Sequence, residues 1–196
     1  ILNFHAKRII FAIKQKKIDE ISSYEILSLV LIESNKNGPS LTTINRINDL
    51  IKIQIDENSM HKSYNILEHA KFVNNLIEIR NIFLFLKIKI PQQLKNSILA
   101  MTSLLKSYKH DDFSLPLFNG CNNNHNEAIQ NISEKEEFLI TKSFTKIING
   151  LVMYKDSKKV LFFDVIQPTK NYFQRELSAS SLAIELSGGG EKIITN

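Results

Sequence analysis

The stretch "SSLAIELSGGGEKIITN", residues 180–196, decides how the rest of the chain is read. Apolar and polar residues alternate through Leu182, Ile184 and Leu186. Three glycines follow, and a second alternating run begins at Glu191. This is the pattern of a strand, a turn and a second strand just getting started. A lone hairpin is marginal in water, so the segment needs a sheet. Upstream the sequence supplies one: "FLITKSFTKI", "GLVMYK" and "KVLFFDVI" are short runs of β-branched, aromatic and aliphatic residues. Asn149-Gly150 is a tight-turn signal between two of them, and "YKDSKKV" marks another turn. An antiparallel sheet of about four or five strands is therefore predicted from about residue 137. A sheet stopping at Asn196 leaves an open edge. The chain thus reads as cut inside a β-domain, and its start at Ile1, without an initiator Met, reads as a cut too.

Before the strands, the pattern is helical. "NFHAKRIIFAIKQ" predicts a helix over about residues 3–17, and "SSYEILSLVLIES" a second, with Ser22 or Ser23 as N-cap and Glu25 near the positive helix end. In "GPSLTTINRINDLIKIQID", Gly38 and Pro39 break the chain and Ser40 can cap. Ile44, Ile47 and Ile51 then recur at helical spacing. A longer helix is predicted over about 65–87, with Ile66, Ala70, Val73 and Ile77 as one stripe. Its end, "IFLFL", is apolar all round, which implies burial. Pro91 suits the first turn of another helix, whose core face is Leu94, Ile98, Met101, Leu105 and Tyr108. The polar stretch after Tyr108 is long for a plain connection. Helices segregate before strands, so the class is α+β, in two domains.

The bulk numbers exclude little. The 196 residues carry a formal net charge of +5, which invites a polyanionic partner. Nearly all of it is Lys, Arg standing only at positions 8, 46, 80 and 175, and solvated lysines account for the excess as simply. Scattered lysines without interleaved aromatics argue against a nucleic-acid module. The single cysteine, Cys121, allows no intrachain disulfide and has no second thiol for a metal site. No apolar run reaches membrane-spanning length. There is no phosphate loop, dinucleotide fingerprint or zinc-type spacing, and "SGGGE" joins two strands, so it reads as a hairpin turn. No metal or cofactor is expected.

Two loops carry candidate chemistry. "DENSMHKSYN", residues 56–65, places His61, Lys62 and Tyr64 within four positions: a base, a charge neutraliser and a proton donor if they line a cleft. A plain polar helix connection is the simpler reading of the same residues. "YKHDDFSLPLFNG", residues 108–120, leaves a helix with Lys109, His110, Asp111 and Asp112 and closes on Phe118-Asn119-Gly120. Helix C-capping by Lys109 and His110 is the simpler reading there.

The order of these segments resembles the heparinase II/III-like proteins, especially a branch common in alphaproteobacteria. The resemblance covers about residues 40–196. "DENSMHKSYN" stands where that branch has a loop closing in Ser-Arg-Asn-Pro. "NNLIEIRNIFLFLKIKIPQQL" is similar to its long helix and Pro-initiated next helix. "YKHDDFSLPLFNG" is similar to a loop with Arg-His-Gly-Asp-Gly and then Phe-Asn-Gly. "SASSLAIELSGGGEKIITN" is similar to a strand pair reading His-Ala, then Leu-Ser-Phe-Glu-Leu-Ser and a variable turn. The resemblance implies a helical (α/α) toroid segment over 1–120, a linker over 121–136, and the start of an incomplete antiparallel β-sandwich over 137–196. It also implies a cleft between toroid and sandwich, and a periplasmic or cell-envelope setting.

The implied activity is a polysaccharide lyase cleaving uronate-containing acidic glycans by β-elimination. The candidate catalytic residues are His61 and Tyr64. Lys62, His110, Asp112 and Asn119 are the candidate substrate-binding residues. Two departures weigh against activity. The family's Tyr-His pair is matched by Glu68-His69, and its sandwich His by Ser178. A non-catalytic relative that binds or helps assemble a cell-envelope glycan is therefore the alternative.

Overall fold

The computed structural model describes residues 2–35, 38–112, 114–121, 144–148, 150–166 and 182–195, apart from the side chains of 2–5, Phe144, Lys146 and Ile148. Helices α1 (Leu2–Gln15), α2 (Ser23–Ser34), α3 (Leu41–Gln54), α4 (Ile66–Phe85) and α5 (Gln92–Ser107) precede strands β1 (Phe144–Ile148), β2 (Leu151–Lys155), β3 (Lys159–Asp164), β4 (Ile184–Gly188) and β5 (Glu191–Ile194). The α+β order read from the sequence is the observed one. The chain divides into two compact units: Ile1–Asp56 with Phe72–Ala100, and Glu57–Lys71 with Met101–Asn196.

In the first unit, local chemistry sets the helix ends. Ser22 starts α2 with a full capping box: its Oγ accepts from Glu25 N, and Glu25 accepts from Ser22 N at 2.9 Å. Ser40 caps α3 by accepting from Thr43 N, and its own N–H donates to Glu33 at 2.8 Å. Arg46 donates to the carbonyls of Ile13 and Lys14 at the end of α1, at 3.0 and 2.8 Å. Ile26, Leu29, Val30, Ile47 and Leu50 are completely buried. The predicted stripe on α4 is shifted: Ile66, Ala70 and Val73 are buried, but Ile77 is half-buried and Leu76, Ile79 and Phe83 carry the stripe onward. The "IFLFL" end is not enclosed on all sides, since Leu84 and Phe85 are 56% and 85% exposed. Only the side bearing Phe83 is covered there.

The second unit holds the sheet, antiparallel throughout with strand order β1-β2-β3-β4-β5. Gly150 sits in the turn between β1 and β2 at φ 86°, and a Cβ there would meet Ile166 Cα at 2.6 Å. Asp156 closes the next turn by accepting from the N–H groups of Lys158 and Lys159 at 2.7 and 2.8 Å. Gly189 and Gly190, at φ 65° and 85°, make the turn between β4 and β5. Positive φ at both positions suits the twist of a two-residue hairpin. Register puts Met153, Phe162 and Glu185 in one row and Lys155, Val160 and Ser187 in the next, all buried on one face. Tyr108 stacks on Phe162 at 6.3 Å. The core face predicted for α5 is intact, with Leu94, Ile98, Met101, Leu105 and Tyr108 all buried.

Candidate functional site

Three segments of the second unit converge: the loop before α4, the loop after α5, and strands β4 and β5. Each candidate residue lies on one of the two loops.

The loop before α4 is organised around two imidazoles. The N–H of His61 donates to His69 Nδ1 at 3.2 Å, and His69 Nε2 lies 3.0 Å from the Met101 carbonyl. A carbonyl only accepts, so His69 carries its proton on Nε2 and is neutral. His61 Nδ1 accepts from Ser63 N at 3.2 Å and pairs with Ser63 Oγ at 2.8 Å. Burial pushes His69 down to about 4, against the upward pull of the Met101 carbonyl. Burial, then the neighbouring His69 and Lys62, push His61 down to about 3. Both rings are therefore uncharged near neutral pH, and His61 is a weak base.

Tyr64 follows, half-buried, with its backbone at φ 53°. That region is sparsely used by bulky residues. Five hydrogen bonds surround it. Its N–H donates to the His61 carbonyl at 2.9 Å. Its carbonyl accepts from Asn119 Nδ2 at 3.3 Å. Asn65, next in the chain, donates from Nδ2 to the Asn119 carbonyl at 2.8 Å, while its Oδ1 accepts from Leu67 N and Glu68 N at 2.8 and 3.1 Å. Asn65 is thus the N-cap of α4 and a tie between the loops. Lys62 is half-buried, two residues before Tyr64 in the chain.

In the loop after α5, His110 is enclosed. Its Nε2 lies 2.9 Å from Glu185 Oε2 and its Nδ1 2.8 Å from Ser187 Oγ, with no side-chain surface exposed. Its ring meets Phe162 edge-on at 4.8 Å. Glu185 accepts two further contacts: Leu117 N donates to Oε1 at 2.6 Å, and Lys192 Nζ reaches Oε2 at 3.3 Å. Lys192 also donates to the Leu115 carbonyl at 3.3 Å. Burial alone would raise the Glu185 carboxyl; the His110 and Leu117 bonds and the Lys192 charge outweigh it and hold it below the usual carboxylate range. Asp112 faces solvent and accepts from Ser114 N and Oγ at 2.9 and 2.6 Å. Burial would raise it, but the Ser114 bonds and the Lys192 and His110 charges lower it. Asn119 is buried at φ 54°.

The structure therefore brings His61, Lys62, Tyr64 and Asn119 together, with Tyr64 and Asn119 in direct contact, and sets His110 against the sheet instead. Sequence reasoning did not single out Asn65, Glu185, Ser187 or Lys192. The signal for Glu185 was available: a carboxylate at an inward position of an alternating strand needs a buried partner. Ser178 lies outside the described residues. Among the described residues, no group of three or more His, Cys, Asp or Glu side chains is placed to hold a metal ion, and no helix is long and apolar enough to cross a membrane.

No protein-family model matches this chain, and no curated protein matches it. Solved structures do. The heparan sulfate lyase HepC from Pedobacter heparinus matches with a TM-score of 0.72 at 14% identity, over 97% of this chain and 34% of that one. The heparinase III described as the BT4657 gene product matches with a TM-score of 0.75 at 11% identity, over 99% of this chain and 35% of that one. A further heparinase III structure matches with a TM-score of 0.66 at 10% identity. The chain has the fold of the corresponding part of a heparinase III, and spans about a third of the length of those structures.

Proposed function

We propose that this protein acts on uronate-containing acidic polysaccharides by β-elimination. Residues 1–120 would then be the end of a helical toroid, 121–136 a linker, and 137–196 the start of a β-sandwich. In this reading the C5 proton leaves to a base, the uronate carboxylate is neutralised, and the glycosidic oxygen takes a proton as its bond to C4 breaks. Tyr64 is the proton-transfer residue, Lys62 neutralises the carboxylate, and solvent-facing Asp112 orients sugar hydroxyls. His61, neutral and held by Ser63, supports the loop backbone more than it takes protons. His110 and Asn119 act from within the protein framework. The observation that carries the reading is Tyr64, a bulky residue kept at φ 53°, two residues after Lys62, in a chain with a heparinase fold. Strain of that kind is retained where it aims a side chain.

The test is incubation with a panel of uronate polymers, following the ultraviolet absorbance of unsaturated uronate. A rise that disappears in Tyr64→Phe is expected. A flat trace across the panel from folded protein overturns the lyase reading.

One observation favours the alternative, a non-catalytic glycan-binding relative. His69, which stands in the slot of the resemblance's Tyr-His pair behind Glu68, is buried with Nδ1 on the His61 N–H and Nε2 on the Met101 carbonyl, so neither nitrogen is open to a substrate proton. Retention on a uronate polymer without unsaturated product is its expected signature.

A further inference from the structure

We infer that Asn119 is a positioning residue for Tyr64, and that Asn65 and Asn119 together form a clamp that fixes the direction of the phenol. The functional meaning rests on the reading of Tyr64 as the proton-transfer residue; the clamp itself does not.

The clamp is reciprocal. Asn119 donates its side-chain amide to the backbone carbonyl of Tyr64 at 3.3 Å, and its own backbone carbonyl accepts from the Asn65 side chain at 2.8 Å. The two strained residues face each other: Tyr64 at φ 53° and Asn119 at φ 54°. Asn tolerates the left-handed region far better than Tyr does. The strain of the pair is therefore concentrated at Tyr64, and a left-handed Tyr persists only where its surroundings over-determine it. Those surroundings are fixed at both ends. Asn65 is anchored by capping α4. The Asn119 loop is anchored two residues upstream, where Leu117 N donates to buried Glu185. A clamp mounted on a helix end and a sheet holds its target more tightly than loop contacts alone.

The decisive variant is Asn119→Gly. Glycine accepts φ 54° without cost and keeps the carbonyl that Asn65 needs. The amide that grips Tyr64 is lost with the rest of the buried side chain. The protein is labelled with 3-fluorotyrosine, and the Tyr64 resonance is assigned by its disappearance in Tyr64→Phe. In Asn119→Gly the Tyr64 fluorine signal is expected to move toward its unfolded position, while those of Tyr108 and Tyr154 stay in place. On a polymer the wild type cleaves, kcat is expected to fall by up to about 100-fold with KM little changed. The double variant with Tyr64→Phe should be no slower than Tyr64→Phe alone. If Asn119→Gly fails to fold, Asn65→Ser, which keeps a capping oxygen for α4 but lacks the amide that reaches the Asn119 carbonyl, opens the other half of the clamp and gives the same decision. An unmoved Tyr64 signal overturns the clamp whatever the enzyme assay shows. A moved signal in a protein that cleaves no polymer supports the clamp and removes the lyase reading.

Discussion

The two compact units bury different chemistry. In the helical unit the enclosed residues are mostly aliphatic, such as Ile26, Leu29, Val30, Ile47 and Leu50, and most of its buried polar groups sit at helix ends, as Glu33 does beside Ser40, with mid-helix Asn75 donating to Ser23 Oγ as the exception. In the second unit His61, His69, His110, Asn119, Lys155, Asp164, Glu185 and Ser187 are all buried. An aliphatic core stabilises in proportion to area and yields gradually to change. A buried polar network holds only when every member has its partner. This chain is therefore least tolerant of change where its polar groups are buried. Four substitutions or conditions test that, and they separate the units by size of effect.

The largest effect is expected from Glu185→Ala. It strands the His110 imidazole, the Leu117 N–H and the Lys192 ammonium together. Removing one partner of a buried charged network costs about 3–5 kcal/mol. Urea unfolding should show it; a loss below that of an aliphatic truncation would erase the contrast between the units. Leu50→Ala comes next. Leu50 is completely buried, and truncation of such a residue costs about 3 kcal/mol. The urea midpoint should fall with little change in the behaviour of Tyr64.

Acid should then act on the second unit. His61 and His69 lie at about 3 and 4, below the ordinary 6.5. Their stability contribution is fully present above pH 6.5 and is lost as pH falls toward those values, because the unfolded chain takes up protons first. At pH 5 each imidazole costs about 2 kcal/mol. Glu185, also depressed, adds loss in the same direction below 4.5. Unfolding midpoints measured from pH 7 to pH 5 should drop, and His69→Gln should flatten the curve. A pH-independent midpoint would mean the imidazoles are not buried neutral. Ser22→Ala is the smallest, at about 1 kcal/mol from the lost cap of α2. Its effect should appear as a small shift in thermal midpoint.

The same contrast explains how much was legible in the sequence. Helix ends are set by neighbours three residues apart, so Ser22 with Glu25, and Ser40, could be read directly. The same holds for the glycine turns at Gly150 and Gly189-Gly190. Strand alternation likewise exposed the sheet. The stripe on α4 slipped at Ile77 because periodicity says which residues share a face, not which face is covered. The pairs that define the candidate site join residues far apart in the chain, such as Asn65 with Asn119 and His110 with Glu185. No local spacing encodes them. Nor does any pattern foretell that Tyr64 is left-handed, since the cause lies in a loop more than 50 residues later.

That separation has a kinetic consequence. His110 and Glu185 stand 75 residues apart, and Asn65 and Asn119 stand 54 apart. Closing contacts of such span is slow, and rates fall as contact order rises. During synthesis, at about 5–20 residues per second, the loop carrying Tyr64 emerges several seconds before Glu185. The α1–α3 segment, whose internal hydrogen-bonded ties from Arg46 and Gln54 span 33 residues, has those partners at hand much sooner. The second unit is therefore the late-assembling part of the nascent chain, and its unpaired strands are the surface a ribosome-associated chaperone would meet.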